Sequence, residues 1–332
     1  MKEYDIIRDF AKAFRRGVNQ LNCVQECDSE LVKIGDQLWG LTIDEFTPEE
    51  DLFTSDDPRL LGANLATATL SDLLAAGATP AWFMHSVALP KTVEPAFLNG
   101  LSIGISSILD EAGCVLCGGD MGCAETWRFC GFAMGAIEDG RPLTRIMPAV
   151  PQSLWVTGEL GDANLAALLG SPTPRFELRL SEARAIKSRA SACIDTSGGF
   201  FDALWLLHDL NPKMRMEIDM ESLPIAPGVK IAAASAGFLA EAALLGGAGE
   251  YELLFALPGR PEESAEAMSE IGVKCVGTVE PCSEPGVFLR YPDAVSAMTS
   301  PPPCPRDAAT VREHVNDVMQ AAERLFAREA GL

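Results

Sequence analysis

Five aspartates carry the chemistry this sequence could perform. Asp36 follows Gly35, Asp44 ends an apolar run that begins at Trp39, Asp120 follows Gly118-Gly119, and Asp195 precedes Thr196-Ser197-Gly198-Gly199. The fifth, Asp72, is the one charged residue among the 25 from Leu60 to Met84. Mg²⁺ takes hard oxygen ligands and shares them with substrate phosphates, and glycine lets a phosphate approach the backbone, so this set suits metal-assisted phosphoryl transfer. Taken singly, Asp beside Gly is ordinary turn chemistry, and spacing alone does not bring the five to one place. Asp72 makes the stronger case, because an unpaired carboxylate in an apolar helix is costly or forced neutral. It is expected on a helix face that opens on a cation or a hydrogen-bond network, satisfaction by nearby backbone being the plainer alternative.

The elements that must position these groups follow from punctuation and periodicity. Asp57 as N-cap, Pro58 in the first turn, Gly77 and Pro80 frame a helix over about Pro58 to Ala76, buried on most faces. Before it come a helix over Tyr4 to Gln20 and strands over Leu31 to Ile34 and Trp39 to Ile43. After it, strands are expected at Trp82 to Ala88, Val115 to Cys117 and Trp127 to Ile137, with a helix over Pro95 to Ala112. Arg141 to Ser153 is rich in proline and reads as a linker. The domains expected are therefore residues 1–148 and 149–300, followed by a Pro-rich break and an amphipathic helix in 301–332 that covers either the core or a partner. In the second half, Leu154 to Thr157, Cys193-Ile194, Tyr251 to Leu257 and Lys274 to Thr278 read as strands, and Asp195 opens a helix that runs through Leu207. Alternating strands and helices without a fixed-period repeat give an α/β or α+β class in two domains.

Composition narrows the partners. A net charge of −21 with 26 Lys+Arg argues against nucleic acid, and Asn64, Ser71 and Asp72 argue against a membrane span in the apolar stretch. No signal peptide is visible from Met1 to Gly17, and several of the ten cysteines sit in apolar runs, which suits a reducing cytoplasm. Cys114 and Cys117 form a C-x-x-C without a second pair at zinc spacing. No P-loop, Rossmann glycine fingerprint, G-x-S-x-G or H-E-x-x-H occurs.

Taken in order, the motifs resemble the thiamine-monophosphate kinase family, in the superfamily of aminoimidazole ribonucleotide synthetase. The resemblance runs from about Leu31 to Tyr291. It rests on Leu70-Ser71-Asp72-Leu73 through Gly77-Ala78-Thr79-Pro80, Gly118-Gly119-Asp120, Arg145, Val156-Thr157-Gly158 with Leu160-Gly161-Asp162, Pro174-Arg175, Ile194-Asp195 with Ser197 and Gly199, and Glu250 to Phe255. It implies a two-domain fold whose N-terminal sheet pairs with its copy in a homodimer. It also implies transfer of the ATP γ-phosphoryl group to the phosphate of thiamine monophosphate or of a related heteroaromatic cofactor precursor. By position it makes Asp36, Asp44, Asp72, Asp120 and Asp195 ligands of Mg²⁺. Gly118, Gly119, Asp120, Arg145 and Ser197 become ATP contacts, and Asp195 and Arg145 the catalytic pair.

The chain also departs from the family pattern. Gly-Asp-Asp becomes Gly35-Asp36-Gln37, Ser-Asp-Gly becomes Ser197-Gly198-Gly199, Gly-Gly-Glu-Asp-Tyr becomes Gly247-Ala248-Gly249-Glu250-Tyr251, and Gly-Gly-Asp-Thr becomes Gly119-Asp120-Met121. A His-Phe pair is replaced by Asp51-Leu52-Phe53. Lost carboxylates weaken hard-cation binding. A non-catalytic nucleotide-binding or partner subunit, or another ATP-using activity of the superfamily, is therefore the alternative to a kinase.

Overall fold

The structure, a computed structural model, describes residues 3–52 and 57–326, so Phe53 lies outside the described residues. The first part of the chain runs α1 (Glu3–Ala11), β1 (Glu30–Ile34), β2 (Gln37–Phe46), α2 (Pro58–Ala75), β3 (Thr79–Leu89), α3 (Pro95–Ala112), β4 (Val115–Cys123) and β5 (Arg128–Ile137). Its sheet has the order β1-β2-β5-β3-β4. The second part runs β6 (Gln152–Val156), α4 (Asp162–Leu169), α5 (Leu180–Lys187), β7 (Ala192–Asp195), α6 (Phe200–Leu210), β8 (Met214–Asp219), α7 (Pro227–Ala236), β9 (Leu253–Pro258), α8 (Pro261–Glu270), β10 (Lys274–Pro281), β11 (Gly286–Arg290), β12 (Val295–Met298) and α9 (Val311–Phe326). Its sheet has the order β12-β11-β8-β10-β6-β9-β7, with β8 and β11 parallel. The class is mixed α/β, and both sheets are mixed.

Helix α2 joins the two layers. Its N-cap Asp57 accepts the Arg59 N–H at 2.9 Å, and Pro58 occupies the first turn. At its end Gly77 takes φ +71°, and Ala78 N–H returns to the Leu73 carbonyl at 2.8 Å, which a residue with a Cβ would resist. One face meets the first sheet: a Cβ on Gly40 would touch Leu73, and one on Gly131 would lie 2.2 Å from Thr69 Oγ1. Another meets the second half, where Asn64 bonds the Pro174 carbonyl (2.8 Å) and the Phe176 N–H (3.0 Å). The apolar core around α2 accordingly runs from Leu31 and Phe129 to Trp155, Cys193 and Phe255.

Several elements differ from the sequence expectation. α1 stops at Ala11 rather than Gln20, because residues 19–21 turn extended and pair with β1, Leu21 N–H reaching the Leu31 carbonyl at 2.8 Å. β4 continues to Cys123 rather than stopping at Cys117, so Gly118, Gly119 and Asp120 lie within an edge strand. The last helix covers the second core, with His314, Val318, Ala322 and Phe326 buried at four-residue spacing and Phe326 packed 5.4 Å from Phe201.

α2 and α3 cross at glycines. A Cβ on Gly62 would sit 2.2 Å from the Leu101 carbonyl oxygen, and one on Gly104 2.0 Å from that of Arg59. Gly104→Ala must push the helices apart and is expected to cost about 1–3 kcal/mol, the usual range for overpacking. The urea midpoint of unfolding reads this loss directly, and an unchanged midpoint would show that the crossing is looser than described.

Candidate cation and phosphate site

The carboxylates converge where α2 passes between the sheets. Asp28, Asp72 and Asp195 each present an oxygen within 4.8 Å of the others. Asp72 projects toward β2, where the Thr42 hydroxyl donates to it. One residue earlier, the Ser71 hydroxyl sits between the Ala68 carbonyl (2.8 Å) and the Asp195 carboxylate at the end of β7. Asp195 also accepts the Ser197 N–H at 3.2 Å. Asp28 lies on the approach to β1 with its side chain 1% exposed, and Arg145 grips it through Nη2 (2.7 Å) and Nε (3.3 Å). The same guanidinium donates to the Gln25 carbonyl at 3.2 Å. Asp44, partly buried on β2, adds its charge to the field on Asp72.

Electrostatics records the crowding. Burial first, then the charges of Asp44, Asp195 and Asp28, push Asp72 well above the ordinary carboxylate value. Burial and Asp28 push Asp195 up to about 6, although Ser71 and Arg145 act in the opposite direction. The Arg145 guanidinium, despite its burial, is held protonated by Asp28 and by Asp72 and Asp195 beyond it. Several acids share the Arg145 guanidinium, so their crowding is relieved by protonation or by a further cation. A divalent ion with oxygen preference fits this donor set.

The structure thus brings together Asp72 and Asp195, sets Asp44 beside them, and leaves two expected ligands elsewhere. Asp36 is exposed in the β1–β2 hairpin turn, eight residues along β2 from Asp44, or roughly 26 Å at the rise of a strand. Its neighbour Gln37 donates to the Leu38 and Ile137 carbonyls, so that turn has a structural part to play. Asp120 is exposed on β4. Asp44, Gly131, His85 and Gly119 are cross-strand partners in one row, which places Asp120 three strands away, roughly 14 Å. Gly119 leaves room for the His85 ring, 2.5 Å from where its Cβ would lie. Arg145 faces Asp28 rather than solvent, and Ser197 is exposed on the loop after β7. At Gly198 an added Cβ would fall 2.4 Å from the Asp202 carboxylate, which fills that space. Sequence reasoning passed over Asp28, which has no glycine beside it and follows Cys27. The search for a Gly-Asp pattern leads to Asp36 instead.

Residues 27–137 match the family model described as AIR synthase related protein, N-terminal domain. A thiamine-monophosphate kinase of Pyrococcus abyssi is 30% identical over 310 residues, which cover 87% of this chain and 91% of that protein. One from Archaeoglobus fulgidus is 29% identical over 243 residues, 68% of this chain and 77% of that protein. Among solved structures, one described as AaThiL complexed with AMPPCP and TMP superposes with a TM-score of 0.74 at 23% identity, covering 89% of this chain and 96% of that one. Fold and site define an AIR synthase-type protein of two mixed α/β layers around a buried carboxylate cluster. Within that class, the chain belongs to the thiamine-monophosphate kinase family.

The raised Asp195 value fixes a pH dependence. Between the unfolded value of 3.8 and the folded value of about 6, the folded protein keeps a proton that the unfolded chain has released. Stability from this group is therefore present below the unfolded value and is lost as pH rises through about 6. A cation binds the ionised carboxylates and offsets that loss. Mg²⁺ at a hundredfold excess over Kd should add about 2.7 kcal/mol where the carboxylates are ionised. The Mg²⁺-induced rise in melting temperature should be large near pH 7.5, small near pH 5, and absent in Asp195→Asn. Equal rises at both pH values would contradict the assignment.

Proposed function

We propose that this protein is an ATP- and Mg²⁺-dependent kinase that phosphorylates the phosphate group of a small phosphomonoester. Thiamine monophosphate is the first acceptor to test and a related heteroaromatic cofactor precursor the second. The observation that carries this reading is the carboxylate cluster of Asp28, Asp72 and Asp195 in a chain 30% identical to a thiamine-monophosphate kinase. Asp28, Asp72 and Asp195, with Asp44 beside them, would hold the Mg²⁺, which when bound offsets phosphate charge and orients the transferring group.

The chain's own residues do the rest by positioning. Arg145 fixes Asp28 through a two-point contact, a geometry that lysine could not reproduce. It therefore acts through Asp28 in this reading, and its assignment as a direct phosphate contact gives way to that of a clamp. Thr42 and Ser71 orient Asp72 and Asp195. Ser197, exposed on the loop after β7, donates its N–H to Asp195 and lies on the solvent side of it. Asp195 is the residue we assign to the reacting phosphates.

We further propose that the protein works as a homodimer in the cytoplasm. Support for the dimer comes from the first sheet, whose outer face exposes Ile43 (68%), Met84 (44%) and Trp82, the last stacked on Trp39 at 5.2 Å. Edge strand β4 exposes Val115, Leu116 and Met121 beside it. An apolar edge of this kind is a template for pairing with another chain. Gly118, Gly119 and Asp120 would then lie at that interface, where a second copy could draw them toward nucleotide. The cytoplasmic placement rests on the cysteine usage of the sequence, and no helix among the described residues is long and apolar enough to cross a membrane.

The test is a coupled assay of the purified chain with ATP, Mg²⁺ and each acceptor. Thiamine diphosphate, or the diphosphate of the second acceptor, should form, and Asp195→Asn should lower the rate by at least roughly 100-fold, the upper end of what loss of a ligand's supporting partner costs. ATP binding without any phosphorylated product would support the non-catalytic subunit instead.

A further inference from the structure

Gly198 leaves a space that another residue fills. Unlike Gly199, which holds φ +88°, it does not adopt the left-handed backbone that favours glycine, so a side chain could stand there. The three atoms nearest to where its Cβ would lie all belong to Asp202, with Oδ2 at 2.4 Å and Cγ at 2.9 Å. An aspartate's own carboxylate oxygens lie about that far from its Cβ. Asp202, in the first turn of α6, therefore sets an oxygen about as close to the Ser197-Gly198 turn as an aspartate at 198 would.

That oxygen is held from α1. The Tyr4 hydroxyl donates to Asp202 Oδ2, and Arg8, one turn further along, pairs with Asp209 at 2.6 Å, so α1 is tied to α6 at two points. The same Tyr4 offers its carbonyl to the Gln25 side-chain amide at 3.2 Å, and the Gln25 carbonyl meets the Arg145 guanidinium that grips Asp28. On the other side, Ser197, the residue before Gly198, donates its N–H to Asp195 Oδ1 at 3.2 Å, while Asp195 Oδ2 faces the Ser71 hydroxyl. Two independent routes thus lead from Asp202 to the carboxylate cluster, one through the turn and one through α1.

We propose that Asp202 is a further carboxylate of the cation site, on the Ser197 side of Asp195, supplying the charge that a glycine at 198 cannot. The proposal rests on the cation-site reading above and extends it to α6 and, through Tyr4, to α1. The number of carboxylates tunes affinity for a hard cation, and one that acts without joining the innermost ligands still changes it. Asp202 is half-buried where Asp195 is buried, so it stands nearer to solvent.

The experiment titrates Mn²⁺ alone, without nucleotide, into the full chain and follows the free ion by electron paramagnetic resonance. Asp202→Asn keeps an oxygen for the Tyr4 hydroxyl and removes the charge, and it should bind Mn²⁺ roughly tenfold or more weakly. Asp202→Ala should lose at least as much, and it clears the space beside Gly198. Adding Gly198→Asp to Asp202→Ala then returns a carboxylate to the turn but not the bond to Tyr4, and it should recover most of the affinity. Recovery separates charge at the site from a latch between α1 and α6. Unchanged affinity in Asp202→Asn would overturn the proposal and leave the kinase reading standing, as would a double variant that melts like Asp202→Ala and binds no better. Failure of the unsubstituted chain to bind Mn²⁺ would overturn both.

Discussion

The repulsion among Asp28, Asp72, Asp195 and Asp44 is the constraint on which the rest of the structure depends. Carboxylates this close and this far from water favour protonation over charge, and two of them are shifted upward accordingly. Arg145 offsets part of the field by pairing with Asp28. Removing one partner of a buried pair typically costs about 3–5 kcal/mol, because the other charge is left without compensation. One guanidinium stands among four acids, an imbalance met by protonation or, in the reading proposed above, by a bound cation.

Holding such a cluster requires elements that do not yield. α2 supplies two of its contacts from adjacent residues, Ser71 toward the second sheet and Asp72 toward the first. That is possible only because the helix lies between the layers, with apolar residues on most of its faces. Gly62 and Gly104 let α2 and α3 approach to backbone distance and Gly131 of β5 admits the Thr69 side chain, so α2 has little room to rotate and carry Asp72 out of register. Asp195 is fixed from the other side by β7, which β9 pairs with, and by its neighbour Thr196, which is hydrogen-bonded to Glu250 and Glu252. The stability of both layers is thus spent on a few oxygen positions.

Much of this was legible in the sequence and some was not, for identifiable reasons. The helix around Asp72 announced itself through Pro58, Gly77 and a lone charge in an apolar run, and its boundaries agree with the structure to within a residue. Asp195 was visible as an acid between the strand-like Cys193-Ile194 and a glycine turn. Asp28 was not, because its role comes from Arg145, 117 positions away, and no local pattern reports a pairing of that range. The extension of β4 through Gly118-Gly119 was hidden because paired glycines read as a stop, whereas here one of them makes room for His85 from the neighbouring strand. The shortening of α1 has the same origin: pairing with β1 overrode a helical pattern. Tertiary contacts, rather than local preference, decided each of these cases.

The most direct measurement is anomalous X-ray scattering from crystals grown with Mn²⁺. The account predicts a peak between Asp28, Asp72 and Asp195 that disappears in Asp72→Asn, with Arg145 still paired to Asp28. A peak confined to the β4 edge at Asp120 or the hairpin at Asp36, with the buried cluster empty, would contradict it.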